Sequence, residues 1–216
     1  IKINGVCVPI NQERLAPQSI VSLLAERLSD AHFRELEDSR ELNIGLPVQG
    51  IGSFRLSAFL QRGSISAVVR FIPHDIPKLD ALHLPEVLKD LVIERRGLIL
   101  VVGAAGSGKS TTIASMLDHR NELATGHVLT FEDPIEFLFR NKKSIINQRE
   151  IGSDARTLQA ALRSAMRQAP DVIFIGEIRD RDTMSAALAY AMSGHLVVAT
   201  LHATNSSHAL NRVISF

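Results

Sequence analysis

Hydrophobic and polar positions divide the chain into two regimes. In the second, from about Leu84, short apolar runs alternate with stretches of helical period. GLILVVG (97–103), HVLTFEDP (127–134), SIINQRE (144–150), DVIFIGE (171–177) and LVVATLHA (196–203) are strand candidates. Val-, Ile- and Leu-rich runs without strict alternation suit strands covered on both faces. LPEVLKDLVIERR, KSTTIASMLDHRNEL, Asp154–Gln168 and Arg181–Ser193 read as helices. Ile113, Met116 and Leu117 share one face of the second of these. Strands alternating with helices predict a mostly parallel sheet with helices on both sides, whose ligands sit at the carboxyl ends of the strands.

The first regime, residues 1–73, is mixed. KINGVCVPI places Asn4-Gly5 between β-prone residues, a hairpin signal. Pro17–Ser29 reads as a helix with Ile20, Leu23, Leu24 and Leu28 on one face, and His32–Arg40 as a second, more exposed one. Around a turn at Arg62-Gly63-Ser64, the next stretch predicts a hairpin. Phe54, Leu56 and Ala58 lie on one arm, and Ala67, Val69 and Phe71 on the other. Residues 74–84 read as a linker and hinge. The surrounding stretch IPHDIPKLDALHLP carries three of the eight prolines and no evident core residue. The expected fold is α/β: a smaller α+β unit at 1–73 and a unit of alternating strands and helices at 85–216.

Composition trims the choices. With 216 residues and 45% apolar content, the chain can bury a core. A net charge of +1, one tyrosine and no tryptophan argue against a nucleic-acid partner. The single cysteine, Cys7, excludes an intrachain disulfide and a cysteine zinc cluster, in keeping with a cytoplasmic setting. No apolar run reaches membrane-spanning length. A start at Ile1 without Met and a stop at Phe216 inside a helix-like pattern read as a fragment.

The chemistry concentrates in GAAGSGKSTT, which fits G-x-x-x-x-G-K-[ST] between a strand and a helix. Gly103, Ala104, Ala105, Gly106, Ser107, Gly108, Lys109, Ser110 and Thr111 form the expected phosphate cradle. Backbone N–H groups converge there on the first turn of a helix, whose dipole favours anions. Lys109 would reach the β- and γ-phosphates of ATP, and the Ser110 hydroxyl a Mg²⁺ ion. Glu177, ending a strand, is either a strand-capping acid or a second Mg²⁺ contact. Glu132, Asp133 and Glu136 crowd around Pro134; they form either a solvated acidic turn or a group beside Mg²⁺, one of which can orient or deprotonate a water. His202 ends a strand on the ligand side, whereas His195 precedes it; their spacing of seven argues against a joint metal clamp. Arg55 and Arg70, on the predicted hairpin, could serve phosphoryl transfer or simply face solvent.

Four segments then carry a resemblance. RGLILVVGAAGSGKSTTIASMLDHRN, LTFEDPIEF, LRSAMRQAPDVIFIGEIRDRDT and SGHLVVATLHATNSSHALNRV resemble, in order and spacing, the Walker A, Asp box, Walker B and His box of secretion-type ATPases of type IV pili and type II secretion. Within that family the match is to the retraction branch, the PilT/PilU type. RQAPDVIFIGEIRDRDTM and IASMLDHRN lean to its PilU side, and the absence of a four-cysteine insertion fits retraction over extension. The resemblance implies a PAS-like N-terminal domain and a RecA-like P-loop ATPase domain. It implies a homo-hexamer that hydrolyses Mg-ATP to drive pilus retraction in twitching motility. The partners it implies are an inner-membrane pilus platform protein and a paralogous retraction ATPase, met at the cytoplasmic face. By motif position, Glu136 matches the catalytic glutamate, Glu177 the Walker B acid and His195 and His202 the His-box histidines. Arg55 and Arg70 match arginines that reach the nucleotide from the N-terminal domain. An accessory ring subunit that assists another motor, and an extension or type II secretion ATPase, remain as alternatives.

Overall fold

A computed structural model describes residues 1–3, 6–10, 15–48, 51–72 and 75–216. The chain divides into two units, Ile1–Ile72 and Pro73–Phe216.

In the first unit, β1 (Lys2–Ile3) pairs antiparallel with β2 (Val6–Cys7). The Asn4-Gly5 turn expected between them lies outside the described residues. Helix α1 (Pro17–Ala25) starts with Pro17, where a missing N–H costs nothing. Helix α2 (Asp30–Ser39) is capped reciprocally: Ser29 Oγ accepts the His32 N–H, and His32 Nδ1 accepts the Ser29 N–H. Arg40, left-handed at φ 66°, ends it. A three-stranded antiparallel sheet follows: β3 (Glu41–Val48), β4 (Gly52–Gln61) and β5 (Ser64–Ile72), in that spatial order. Leu24, Leu28, Leu36, Leu42, Leu56 and Ala58 make its core. The hairpin has the expected register, with Phe54, Leu56 and Ala58 opposite Phe71, Val69 and Ala67. Two expectations change. Leu23 is exposed, and α1 stops four residues before Ser29.

The second unit begins with a 3-10 turn, Leu79–Leu82, and α3 (Val87–Ile93). Then follow β6 (Gly97–Val102), α4 (Lys109–Leu123), β7 (Gly126–Glu132) and β8 (Ser144–Glu150). Next come α5 (Leu158–Ala165), β9 (Val172–Ile175), α6 (Arg181–Met192), β10 (Leu196–Leu201) and α7 (Ser206–Ser215). All five strands run parallel in the order β6-β10-β9-β7-β8. Successive residues of β9 alternate between two cores. Val172 and Phe174 meet Ile113, Met116 and Leu117 of α4, while Ile173 and Ile175 meet Leu162 of α5 and Met184 and Ala187 of α6. This covering on both faces explains why the strands read as unbroken apolar runs. Emptying one such position, as in Leu117→Ala, costs about 2–5 kcal/mol.

The stretch expected to be a linker belongs to this unit. Leu79 is buried against α4, Ser115 Oγ donates to the Pro77 carbonyl at 2.7 Å, and Lys78 pairs with Glu122. Helix α5 also starts later than Asp154. The Asp154 carboxylate accepts the Glu150 N–H at 2.8 Å at the end of β8, and Thr157 caps α5 by accepting the Ala160 N–H.

Candidate nucleotide site

Four parallel strands deliver their carboxyl ends to one cavity of about 710 Å³, lined wholly by the second unit. From β6 the chain enters the glycine loop. Gly108 takes φ 92° as the residue before α4, a conformation glycine adopts without strain, and no side chain caps that helix. A Cβ on Gly103 would stand 2.5 Å from Ser107 Oγ and 3.3 Å from its Cβ, so a side chain there would have to turn the Ser107 hydroxyl aside. Lys109 Nζ donates to the carbonyls of Gly103 (3.0 Å) and Ala104 (2.8 Å). The amine therefore lies curled over the loop. Ala105, Gly106, Gly108, Lys109, Ser110 and Thr111 all line the cavity.

Opposite them stand carboxylates. β7 ends in Glu132, which is buried; the Thr130 hydroxyl donates to its Oε1 at 2.6 Å and Gln148 Nε2 at 3.1 Å. Burial raises its pKa to about 7, against the opposing pull of these donors. β9 ends beside it, because Gly176 donates its N–H to the Phe131 carbonyl at 2.7 Å. A Cβ on Gly176 would meet that carbonyl at 3.1 Å and Glu132 Cα at 3.3 Å, so glycine lets the two strand ends approach. Glu177 follows. Its carboxylate accepts Arg179 Nε–H at 2.7 Å and lies 3.1 Å from His202 Nε2. Arg179 also reaches Asp133 at 3.5 Å. Glu136 lines the same cavity from the loop after Pro134.

The expected residues thus separate. Six of the nine loop residues, Glu136, Glu177 and His202 come together, whereas Gly103, Ala104 and Ser107 do not line the cavity. His195 does not join them. It precedes β10, and its Nδ1 lies 3.2 Å from the Tyr190 carbonyl and 3.1 Å from Ser193 Oγ at the amino end of the sheet. Arg55 and Arg70 belong to the first unit, directly opposed on β4 and β5. Two lining arginines went unassigned from sequence, Arg179 and Arg156. The signal for Arg179 was present: it follows the strand-end glutamate by two residues, within reach of it.

The donor set suits Mg²⁺. A hydroxyl at the helix start and an oxygen-only carboxylate face one cavity, and Mg²⁺ is usually held by one or two carboxylates plus phosphates. Among the described residues no cluster of three His, Cys, Asp or Glu forms a self-sufficient metal cage.

Comparison with known proteins places this geometry. The chain is 44% identical to the type IV pilus ATPase PilU of Pseudomonas aeruginosa over 216 residues, 100% of this chain and 56% of that protein. It is 40% identical to the retraction ATPase PilT of the same organism over 214 residues, 99% of this chain and 62% of that protein. The crystal structure of the pilus retraction motor PilT with bound ADP superimposes with a TM-score of 0.94 at 42% identity. That match covers 100% of this chain and 63% of the other, and carries the RecA-like ATPase fold. The chain therefore spans between half and two thirds of the length of these relatives. The model of the Type II/IV secretion system protein family matches residues 38–216, taking in the glycine loop, the acidic loop and both strand-end motifs, and the chain belongs to that family.

Proposed function

We propose that this chain is the nucleotide-hydrolysing portion of a motor ATPase that drives type IV pilus retraction. The observation that carries the reading is the shared cavity. Lys109 and Ser110 at the start of α4 face Glu136 and Glu177 across a space walled by strand ends. The named relatives that point the same way are a pilus ATPase and a retraction ATPase.

The reaction transfers the γ-phosphoryl group of ATP to water. The N–H groups of Gly106 to Ser110 and the Lys109 ammonium take the β- and γ-phosphate charge; Lys109 moves off its two carbonyl contacts to do so. Glu136 orients the attacking water and accepts its proton as the new P–O bond forms and the bond to ADP breaks. Ser110 and Glu177 are the residues that would hold Mg²⁺, which supplies charge neutralisation across the phosphates. His202 holds the Glu177 carboxylate in place. Arg55 and Arg70 are assigned to the negative charge that develops on the transferred group. His195 is left with holding the turn before β10. The assembly we assign is a homo-hexamer at the cytoplasmic face of the inner membrane. It acts on a platform protein of the pilus base, with a paralogous ATPase as a further partner.

The test is Mg²⁺-dependent ATP hydrolysis by the full-length protein as a function of its concentration, with Glu136→Ala in parallel. Turnover that climbs steeply with concentration and is lost in the variant supports a catalytic ring. Tight nucleotide binding without turnover at any concentration would return the chain to an accessory role.

A further inference from the structure

The loop that carries Glu136, residues 133–139, contains no helix or strand. Its backbone polar groups must be met from elsewhere, and three are met by side chains of one strand, β8. Ile135 donates its N–H to Glu150 Oε2 at 3.0 Å. Gln148 Nε2 donates to the Phe137 carbonyl at 2.8 Å, and Gln148 Oε1 accepts the Phe139 N–H at 2.9 Å. The same Nε2 reaches Glu132 Oε1 at 3.1 Å. Gln148 stands directly opposite Thr130 in the parallel ladder, and Glu150 opposite Glu132, so the four side chains share one face of the sheet. The attachment points at Ile135 and Phe137 flank Glu136. A side-chain amide donates and accepts at once without charge, through two separate atoms. Gln148 itself does not line the cavity.

We propose that Gln148, seconded by Glu150, is the positioning residue for Glu136, fixing an irregular loop to the rigid sheet so that the Glu136 carboxylate is held at the phosphoryl group. This rests on the reading of Glu136 as the water-orienting base. It assigns the precision of that base to a polar strand residue outside the cavity.

The experiment compares Gln148→Leu with the full-length wild type. We expect kcat to fall at least tenfold with KM for Mg-ATP and nucleotide affinity within twofold, and exchange of the Phe139 amide to quicken at least tenfold. An unchanged kcat, or joint loss of nucleotide binding and kcat, would overturn the proposal. If the leucine variant does not fold, Gln148→Glu decides. It keeps the acceptor for Phe139 but sets a carboxylate against the Phe137 carbonyl, with Glu132 on β7, Glu136 in the loop and Glu150 on its own strand all acidic around it. Protonation restores the donor, so its activity relative to wild type should recover as pH falls from 8 to 6. A ratio that stays flat with pH would count against the idea. Absence of wild-type turnover would sink the ATPase reading alone, and the exchange measurement would still report whether Gln148 holds the loop.

Discussion

The two ends of the parallel sheet are built on opposite terms. At the amino end, polar groups answer one another. Asp171 accepts the His127 N–H at 2.7 Å, His127 Nδ1 lies 2.9 Å from the Gln168 carbonyl, and the Asn147 amide meets His127 Nε2 at 3.0 Å. His195 nestles against Tyr190 and Ser193. At the carboxyl end, Glu132, Asp133, Glu136 and Glu177 gather around one cavity with Arg179 and His202 between them. One end is satisfied and holds the fold. The other sets carboxylates and basic groups around an open space that a cation and a phosphate chain would complete. His195 and His202 bracket the same strand and sit in the same motif, yet strand direction alone sends them to different ends.

Predictions follow the size of that contrast. At the carboxyl end, Lys109→Ala should lower ATP turnover by about 10²–10³-fold, the scale for losing one preorganised charge contact, read by steady-state hydrolysis. Wild-type turnover in that variant would break the comparison. Next comes pH. Glu132 has its folded pKa raised by burial from 4.5 to about 7. Between those values the folded state binds the extra proton, so stability should fall as pH rises through that window, by at most about 3 kcal/mol. Chemical denaturation at pH 4.5 and 7.5 measures it. In Glu132→Gln this part of the slope should vanish. At the amino end, Asp171→Ala should cost about 1.5 kcal/mol by trading the charge-assisted hydrogen bond to the His127 N–H for one to water, with kcat per folded molecule unchanged. Smallest is the histidine pair. His202→Ala should reduce kcat about tenfold, near 1.4 kcal/mol, while His195→Ala stays within twofold. Equal effects would erase the distinction between the ends.

Much of this was legible in the residues because the second unit obeys simple periodicities. β8 has the expected bounds, β6, β9 and β10 fall within theirs, and β7 starts one residue early at Gly126, because each apolar run is closed by a polar or glycine residue. β3 went unread although Leu42, Ile44 and Leu46 alternate, since Gly45 and Pro47 argue against a strand until edge placement excuses them. Leu79 looked like part of a proline-rich spacer; only its contact with α4 makes it core. In the acidic loop, three carboxylates within five residues were evident. That Glu132 is buried and Glu136 exposed depends on the sheet beneath. Gln148 gave no sign, because a glutamine in a strand says nothing of its partners until the neighbouring loop is in place.

The fastening of Pro77 has a mechanical side. Residues 73–76 are all that separate Ile72 from the point where Ser115 grips the chain. Any pull that comes along the backbone from the first unit is delivered to α4 at Ser115, reinforced where Lys78 meets Glu122 about two turns further on. That helix begins at Lys109, about 9 Å from Ser115 at 1.5 Å per residue. Load at the junction is thus applied to a short stiff rod whose free end is the phosphate loop. A grip on nucleotide and a tension on the chain would be felt by the same seven residues.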